Sequence, residues 1–398
     1  MTCMREPTAA TFGGRSGHPG PLVAPGPRLS PERIVRFSRQ LMLPGFGETA
    51  QRRLAAARVL VVGAGGLGSA VVPSLAGAGV GTIGIADDDH VELSNLHRQT
   101  SHGVADLGRP KVDSLAETVA AIDPECRVVR HGARLTADDI GEILTAYDLI
   151  VDGSDNFPTR YLTNDAAALA GVPLVWGAIL RYHGQVGVAW HAHGPGYRDL
   201  FPVPPSPDEV LSCELGGVLP SVCATIGALM ATEVVKIITG VGEPLLGRVT
   251  TVDALTGRSR EIAYSVIADA PQITTLIDYE RFCGAPAREE AVPDSASVSA
   301  AELLQRLRSG RPITLIDVRE PAEAELGRIR DSVLLPLGEL LDGAGPEPGG
   351  GPVVVYCERD PRSRRAARAL AERGHTDVAY LAGGIATFSA VAGDLVRR

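Results

Sequence analysis

Two short segments of the sequence contain residue types that could do chemistry. The first is the pattern G-x-G-x-x-G, formed by Gly63, Gly65 and Gly68 between a predicted strand and a predicted helix. Glycines at this spacing let the backbone approach a phosphate, whose charge the amides and dipole of the helix N-terminus stabilise. The second is Cys357, in the run Y-C-E-R-D-P-R-S, after a predicted strand and ahead of a basic helix. A cysteine placed in this way is activated as a thiolate.

The residues that follow the glycine pattern indicate which phosphate compound it could bind. Asp87 ends the next predicted strand about 20 residues on, where a ribose-binding acid belongs, and this much fits an NAD-dependent oxidoreductase equally well. Arg98 and Lys111 add two cations, and Asp155 adds a carboxylate at the C-terminal end of a strand. This set suits a triphosphate with magnesium, because it neutralises charge on the leaving pyrophosphate, and it disfavours NAD. The alternative is that both cations are solvated surface charges and that Asp155 caps a helix.

The composition narrows the class of protein. The chain has 398 residues, of which 44% are hydrophobic and 21% are charged, so we expect a globular protein of two domains. Its net charge of −9 argues against general binding to nucleic acid or to a membrane surface. No uninterrupted apolar run is long enough to span a bilayer, and the N-terminal residues lack the apolar centre of a signal peptide. Six scattered cysteines suit a reducing compartment, so we expect a cytoplasmic protein.

Strands and helices alternate along the first part of the chain. The sequence predicts strands at 58–62, 82–86, 127–131, 148–152, 172–176 and 185–190, and helices at 69–79, 109–121 and 222–238. This alternation predicts a doubly wound, Rossmann-like α/β domain with a largely parallel sheet. Ser30 and Pro31 are typical of a helix start.

A second α/β pattern follows a stretch of little periodicity. Helices are predicted at 300–307 and 363–373, and strands at 313–318, 353–356 and 378–381. We therefore expect a disordered tail at 1–29, a first domain at 30–284, a linker at 285–298 and a smaller α/β domain at 299–398.

Taken together, the motifs between about Arg36 and Cys283 resemble the MoeB/ThiF family, the bacterial relatives of ubiquitin-activating enzymes. That family adenylates the C-terminal glycine of a small ubiquitin-like sulfur carrier. The resemblance therefore implies ATP, Mg²⁺, a homodimer and a carrier ending in Gly-Gly. It implies that Arg39 reaches the ATP of the other subunit, that Asp87 holds ribose, and that Asp155 holds magnesium. It further implies a nucleotide site that includes Gly63, Gly65, Gly66, Gly68, Asp89, Asn95, Arg98, Gln99, Lys111 and Asn156.

Cys213 lies in the run L-S-C-E-L-G-G-V, between a proline-rich loop at 202–208 and the long helix. A lone cysteine is in general a small buried hydrophobe, which is what we expect of Cys223 on the helix. The loop around Cys213 favours exposure instead. Members of the family have a cysteine here, and some use it to take the activated acyl group or to resolve a persulfide.

Many members of the family also hold structural zinc with two C-x-x-C pairs. The corresponding positions in this chain are Gly196, Asp199, Glu280 and Cys283. A tetrahedral zinc site cannot be built from that set. We therefore expect no structural zinc, so that this part of the domain depends on packing.

The C-terminal pattern resembles a rhodanese domain. The resemblance rests on the run I-D-V-R-E-P that begins at Ile316, on the Cys357 loop, and on G-G-I at residues 383–385. Arg359 and Arg362 would add positive charge that stabilises a thiolate or persulfide anion. The alternative is a buried cysteine with no reaction. The sequence departs from the family at Asp360-Pro361 in the loop and at Arg328, where a histidine is common.

Both resemblances together predict an ATP-dependent adenylyltransferase fused to a sulfurtransferase. Cys357 would receive sulfur from a persulfide or thiosulfate donor and pass it to the carrier, which leaves as a thiocarboxylate. One alternative is adenylation of a peptide carboxylate in natural-product biosynthesis, and another is a non-catalytic scaffold for a ubiquitin-like partner. The pathway stays open among molybdopterin, thiamine, cysteine, thiolated tRNA and a specialised metabolite.

Overall fold

Two units make up the chain in this computed structural model, Met1–Ala285 and Pro286–Arg398. The structure describes residues 19–205, 217–284, 296–310, 312–358 and 360–397.

The first unit is built on an eight-stranded sheet with the order β3-β2-β1-β4-β5-β6-β7-β8. Its strands are β1 Arg58–Val62, β2 Thr82–Ala86, β3 Arg127–His131, β4 Leu149–Asp152, β5 Leu174–Leu180, β6 His183–Ala189, β7 Arg248–Asp253 and β8 Arg258–Ala263. Strands β1 to β5 pair in parallel, as the alternation of strands and helices predicts. In β1, Val59 and Val61 face one core and Leu60 and Val62 face the other, so the strand is buried on both faces.

The last three strands of this sheet are antiparallel, which the sequence interpretation did not foresee. Only Arg181 and Tyr182 connect β5 to β6, and so short a connection can join only antiparallel strands. Arg181 has a φ of 54°, and its N–H and C=O bond Gly217 and Leu219, which precede the long helix.

Ten described helices surround this sheet. They are α1 Pro31–Arg36, α2 Ser38–Leu41, α3 Gly47–Ala56, α4 Gly68–Ala78, α5 Lys111–Ile122, α6 Ile140–Leu144, α7 Phe157–Ala170, α8 Tyr197–Leu200, α9 Pro220–Thr239 and α10 Tyr279–Gly284. Ser30 caps α1 by accepting from the Arg33 N–H, as its position predicts. Residues 19–29 are not the free tail that their Gly and Pro content predicts, because Leu22 donates to Ile237 and Gly26 to Arg52. The apolar side chains of Leu22 and Val23 pack against the core of the first unit.

Helix α9 is long and apolar enough to cross a membrane by length and composition alone, although Glu233 and Lys236 interrupt its apolar sequence. In the structure, 61% of its apolar window is buried inside the protein. Val222, Ile226 and Met230 belong to the same core as β1 and α4. Its hydrophobicity is therefore explained by packing on the sheet.

The second unit has a parallel five-stranded sheet with the order β12-β10-β13-β14-β9, and β11 pairs with β15 beside it. Its strands are β9 Ala296–Val298, β10 Thr314–Asp317, β11 Arg328–Ile329, β12 Val333–Leu334, β13 Val353–Tyr356, β14 Val378–Leu381 and β15 Val396–Arg397. Its helices are α11 Ala300–Arg308, α12 Pro321–Glu325, α13 Leu337–Leu341, α14 Pro361–Glu372 and α15 Gly384–Ala392.

Two boundaries in this unit differ from the sequence prediction. Residues 296–298, which the sequence prediction placed in the linker, form β9 and pair with β14. The strand was missed because three residues are too few to show a hydrophobic period. Helix α14 begins at Pro361, whose fixed φ suits a first helical turn.

Candidate functional site

The glycine turn lies between β1 and α4 and requires glycine at two positions. Gly63 has a φ of 92°, and a Cβ there would lie 3.0 Å from the carbonyl oxygen of Gly153. A Cβ on Gly68 would collide with the carbonyl oxygen of Gly63. The turn therefore packs tightly on itself and on the end of β4, which brings the residues after both strands together.

The side of the turn toward α4 has hydrogen-bond donors to spare. Among the described residues, the N–H groups of Gly65 and Gly66 donate to no protein acceptor. Gln99 is buried, and its Oε1 atom has no partner, while its Nε2 atom would lie 3.7 Å from a Cβ on Gly65. A buried polar atom without a partner in a native protein calls for a ligand or water. The two N–H groups fit the phosphate-binding role predicted for the turn, whereas the Gln99 oxygen can only accept, from a water or a ligand hydroxyl.

Asp87 follows β2 and is hydrogen-bonded to the glycine turn. Its carboxylate accepts from the Ala64 N–H at 2.7 Å and from the Asp89 N–H at 2.9 Å. Burial raises the pKa of Asp87, although Lys111 and both amides oppose this shift. A carboxylate can accept about four hydrogen bonds, so capacity for a ribose hydroxyl is left.

The predicted phosphate ligands differ in their burial and in the protein groups that they already bond. Lys111 begins α5 and is buried, with its Nζ atom 2.8 Å from Asp89. Arg98 is half-buried and donates to the Ser94 carbonyl at 3.0 Å. Asn95 is buried, and its Oδ1 accepts from the Glu92 N–H within a short 3₁₀ helix. Lys111 is thus the cation held closest to the acids of this site.

Asp155 and Asn156 follow β4 and have separate roles in the structure. Asp155 is exposed and, within the described part of the chain, makes no hydrogen bond or ion pair. The residue that caps α7 is Asn156, which accepts from the Thr159 N–H at 2.9 Å. Asp152 is buried and holds this loop through Ser154. Asp155 is therefore the free carboxylate at this strand end, where a magnesium ligand is expected.

Arg39 lies on α2 and is exposed. It makes no hydrogen bond or ion pair to the residues that the structure describes. Val35 and Met42 nearby are 75% and 73% exposed, and Ile34 and Leu43 are also exposed. An exposed apolar patch of this kind typically marks an interaction site.

Of Cys213 and Cys223, only Cys223 belongs to the described residues. Cys213 lies outside the described residues, and Cys223 is buried on α9. The Cys223 sulfur would lie 3.0 Å from a Cβ on Gly66, so it packs directly beneath the turn, as expected of a core cysteine.

The four positions that correspond to zinc ligands in the family are occupied by other interactions. Asp199 accepts from the Gly196 N–H and from the Ile267 N–H, both at 2.8 Å. Glu280 pairs with Arg134 at 2.6 Å. Cys283 is buried, and burial raises the pKa of its thiol to about 11. A thiol with a raised pKa is a poor metal ligand, so this set does not fit zinc.

A buried ion pair ties the same two segments together, and sequence reasoning missed it. Asp165 on α7 accepts from Arg198 on α8 at 2.8 and 2.6 Å and from the Tyr279 hydroxyl on α10 at 2.6 Å. The Arg198 guanidinium lies over the rings of Tyr161 and Phe282. Burial acts to lower the pKa of Arg198, but the hydrogen bonds and the charge of Asp165 raise it overall. We call these three residues, Asp165, Arg198 and Tyr279, the Asp165 network.

In the second unit, Cys357 follows β13 and is only 1% exposed. Its sulfur lies 3.5 Å from the Ser363 hydroxyl, in the first turns of α14. Three bonds fasten its loop to the start of α15. Ile385 donates to the Cys357 carbonyl, Ala386 to the Glu358 carbonyl, and the Gly383 N–H to the Asp360 carboxylate at 2.6 Å.

Asp360, which the sequence marks as unusual for this loop, is thus one of its anchors. The cations around the thiol are partly neutralised. Arg362 makes two bonds of 2.6 Å to Glu323, and this ion pair is the largest reason that the pKa of Arg362 is raised. Arg359 lies outside the described residues, and Arg328 is exposed on β11. Glu323 lies 39 residues from Arg362 and could not be paired with it from the sequence.

Comparison with known proteins covers both units. Residues 37–269 match the ThiF family, and residues 299–390 match the rhodanese-like domain. The probable adenylyltransferase/sulfurtransferase MoeZ of Mycobacterium tuberculosis is 46% identical over 376 residues, which are 93% of this chain and 96% of that protein. The adenylyltransferase and sulfurtransferase MOCS3 of Mus musculus is 39% identical over 381 residues, or 88% and 83% of the two chains.

Solved structures share the fold of the first unit. The crystal structure of E. coli MccB has a TM-score of 0.53 at 20% identity and covers 63% of this chain and 75% of MccB. That of PaaA has a TM-score of 0.51 at 24% identity, covering 60% and 76%.

Proposed function

The chain belongs to the ThiF family and carries a C-terminal rhodanese-like domain, and from this we propose that one domain activates a carrier protein and the other gives it sulfur. The chain is an adenylyltransferase and sulfurtransferase. Its partner is a small ubiquitin-like sulfur carrier that ends in Gly-Gly. The product is the thiocarboxylate of that carrier.

In the first step, a carboxylate oxygen of the carrier attacks the α-phosphorus of ATP, and pyrophosphate leaves. The free amides of Gly65 and Gly66 and the cation of Lys111 bind the phosphates, and Asp87 orients the ribose. Asp155 would hold a magnesium ion, which would supply positive charge to the leaving pyrophosphate. Adenylation gives the carbonyl a good leaving group, so that a sulfur nucleophile can attack it.

In the second step, Cys357 takes a sulfur atom from a donor persulfide, which leaves as a thiolate, or from thiosulfate, which leaves as sulfite. The outer sulfur of the Cys357 persulfide then attacks the carbonyl carbon, AMP leaves, and an acyl disulfide joins carrier and enzyme. A thiolate, which we assign to Cys213 or to an external thiol, attacks the Cys357 sulfur and releases the thiocarboxylate. An external thiol reduces the disulfide that remains.

The observation that carries this proposal is the combination of sites in one chain. Within the described residues, the first unit has turn amides without an acceptor after β1 and an unpaired Asp155 after the neighbouring strand β4. The second unit holds a cysteine in a loop fastened at three points. Peptide adenylation, the alternative, is favoured by no described contact, since the likeness to MccB concerns the fold. A scaffold without turnover would have no use for both sites.

We further propose a homodimer, in which Arg39 acts on the nucleotide of the other subunit. Its support is an exposed arginine on α2, with exposed apolar residues on α1 and directly after α2. We place the protein in the cytoplasm because its cysteines are scattered, and we propose that it folds without zinc because the Asp165 network joins the relevant segments.

Two variants test the division of labour. Asp155→Ala should abolish carrier-dependent exchange of labelled pyrophosphate into ATP and leave thiosulfate:cyanide sulfur transfer intact. Cys357→Ala should do the reverse, because its thiol lies in the other unit. The control for the loss of a carboxylate in this unit is Asp88→Asn, because Asp88 is exposed like Asp155. Asp152→Asn would not serve, because Asp152 is buried and its loss could disturb the fold. Exchange at the wild-type rate in Asp155→Ala refutes the nucleotide site, and thiocarboxylate formation by Cys357→Ala refutes the sulfur step.

A further inference from the structure

A buried histidine lies directly behind the glycine turn. His102 lies three residues after Gln99, and its Nε2 atom lies 3.2 Å from the carbonyl oxygen of Ala64, within the turn. Its Nδ1 atom lies 2.8 Å from the hydroxyl of Ser114 on α5. Both ring nitrogens therefore have a partner, and each partner belongs to a different element of the nucleotide site.

One of the two partners fixes a hydrogen on the ring. A carbonyl oxygen can only accept, so Nε2 carries a hydrogen, whereas the Ser114 hydroxyl can donate to Nδ1 or accept from it. The burial of the ring favours its neutral form, in which Nδ1 accepts from the Ser114 hydroxyl. Burial lowers the pKa of His102, and Lys111 lowers it further, whereas the Ala64 bond, Asp106 and Asp87 act in the opposite direction.

This bond completes the fixation of the Ala64 peptide units. The Ala64 N–H is held by Asp87 at 2.7 Å, and the Ala64 carbonyl is held by His102. Ser114 lies three residues after Lys111, so the two lie on neighbouring positions of one helical face. The chain Ala64–His102–Ser114 thus links the turn that offers free amides to the helix that presents the buried cation.

We propose that His102 is a positioning residue for ATP, and this rests on the proposed adenylation site. Its neutral imidazole holds the amides of Gly65 and Gly66 at a set distance from Lys111. A triphosphate needs both at once, so a turn released from His102 binds ATP more weakly. The ring touches no reacting atom, so its loss acts mainly on affinity.

The test uses two amides of different length. Glutamine places its Nε2 near the position of the imidazole Nε2 and can still donate to Ala64, whereas asparagine reaches only the Nδ1 position. We expect His102→Asn to raise the Kd for ATP of the full chain about tenfold, and His102→Gln to stay within about threefold. In pyrophosphate exchange, the KM for ATP should rise in step while kcat changes less. Thiosulfate:cyanide transfer should not change in either variant.

Equal affinity of His102→Asn and wild type overturns the inference, as does an equal loss in both variants. Should His102→Asn fail to fold, Ser114→Ala decides, because it frees the ring and should raise the Kd about threefold; an unchanged Kd overturns the inference. A wild-type chain that neither binds ATP nor exchanges pyrophosphate would instead refute the proposed function.

Discussion

Asp165→Asn is expected to destabilise the first unit strongly. The substitution keeps the size of the side chain but removes the charge that Arg198 and Tyr279 share. Asp165 is 2% exposed and Arg198 is 23% exposed as side chains, so the arginine would keep its charge with little water to replace the lost partner.

The magnitude follows from this burial. Breaking one side of a buried ion pair costs roughly 3–5 kcal/mol, and the partial access of water to Arg198 favours the lower end, so we expect about 3 kcal/mol. Glu280→Gln is the matched control, because Glu280 lies next to Tyr279 on α10. It breaks the ion pair with Arg134, whose two side chains are 67% and 55% exposed, and such a pair is worth about 0–1 kcal/mol.

The assay is equilibrium unfolding in urea, followed by tryptophan fluorescence. Both tryptophans of the chain, Trp176 and Trp190, lie in the first unit, so the second unit does not contribute to the signal. Trp176 packs against Tyr197 and Phe201, next to Arg198. EDTA should leave the wild-type midpoint unchanged. A loss below about 1 kcal/mol for Asp165→Asn, or one equal to that of Glu280→Gln, would show that the Asp165 network does not hold these segments.

Two further predictions concern the dimer and the sulfur loop. Co-refolded Arg39→Ala and Asp155→Ala chains should regain about a quarter of wild-type exchange, since half the dimers are hybrids with one intact site, whereas active monomers in sedimentation would contradict this. Asp360→Ala removes the acceptor of the Gly383 N–H and should lower thiosulfate:cyanide transfer about fivefold, with Asp360→Asn near wild type as its control. Equal activity of both Asp360 variants would deny the loop anchor a role.

Much of the fold can be predicted because its information is local. The apolar runs of β1 and β2, the glycines after β1 and the Ser30-Pro31 helix start are read from neighbouring residues, and the structure has these elements in place. The antiparallel strands β7 and β8 were missed. All six residues of β8 are exposed, so hydrophobicity leaves no pattern there.

The parts of the sites that were missed depend on distant contacts. Asp165 is 114 residues from Tyr279, His102 is 38 residues from Ala64, and no spacing rule connects such pairs. The Asn156 cap, by contrast, is a local signal, since an Asn before Phe-Pro is a typical helix start. Roles of the individual site residues stay predictions until the variants are measured.

The three bonds that fasten the Cys357 loop have a consequence for amide hydrogen exchange. The donors are the N–H groups of Gly383, Ile385 and Ala386, at the start of a helix, where amides have no partner within the helix itself. Their protection therefore depends on the loop and not on α15. These three amides exchange only when their hydrogen bonds to the loop break. Although they lie more than 20 residues from the loop along the chain, their exchange rates therefore report how often the thiol of Cys357 becomes accessible to a donor or a carrier.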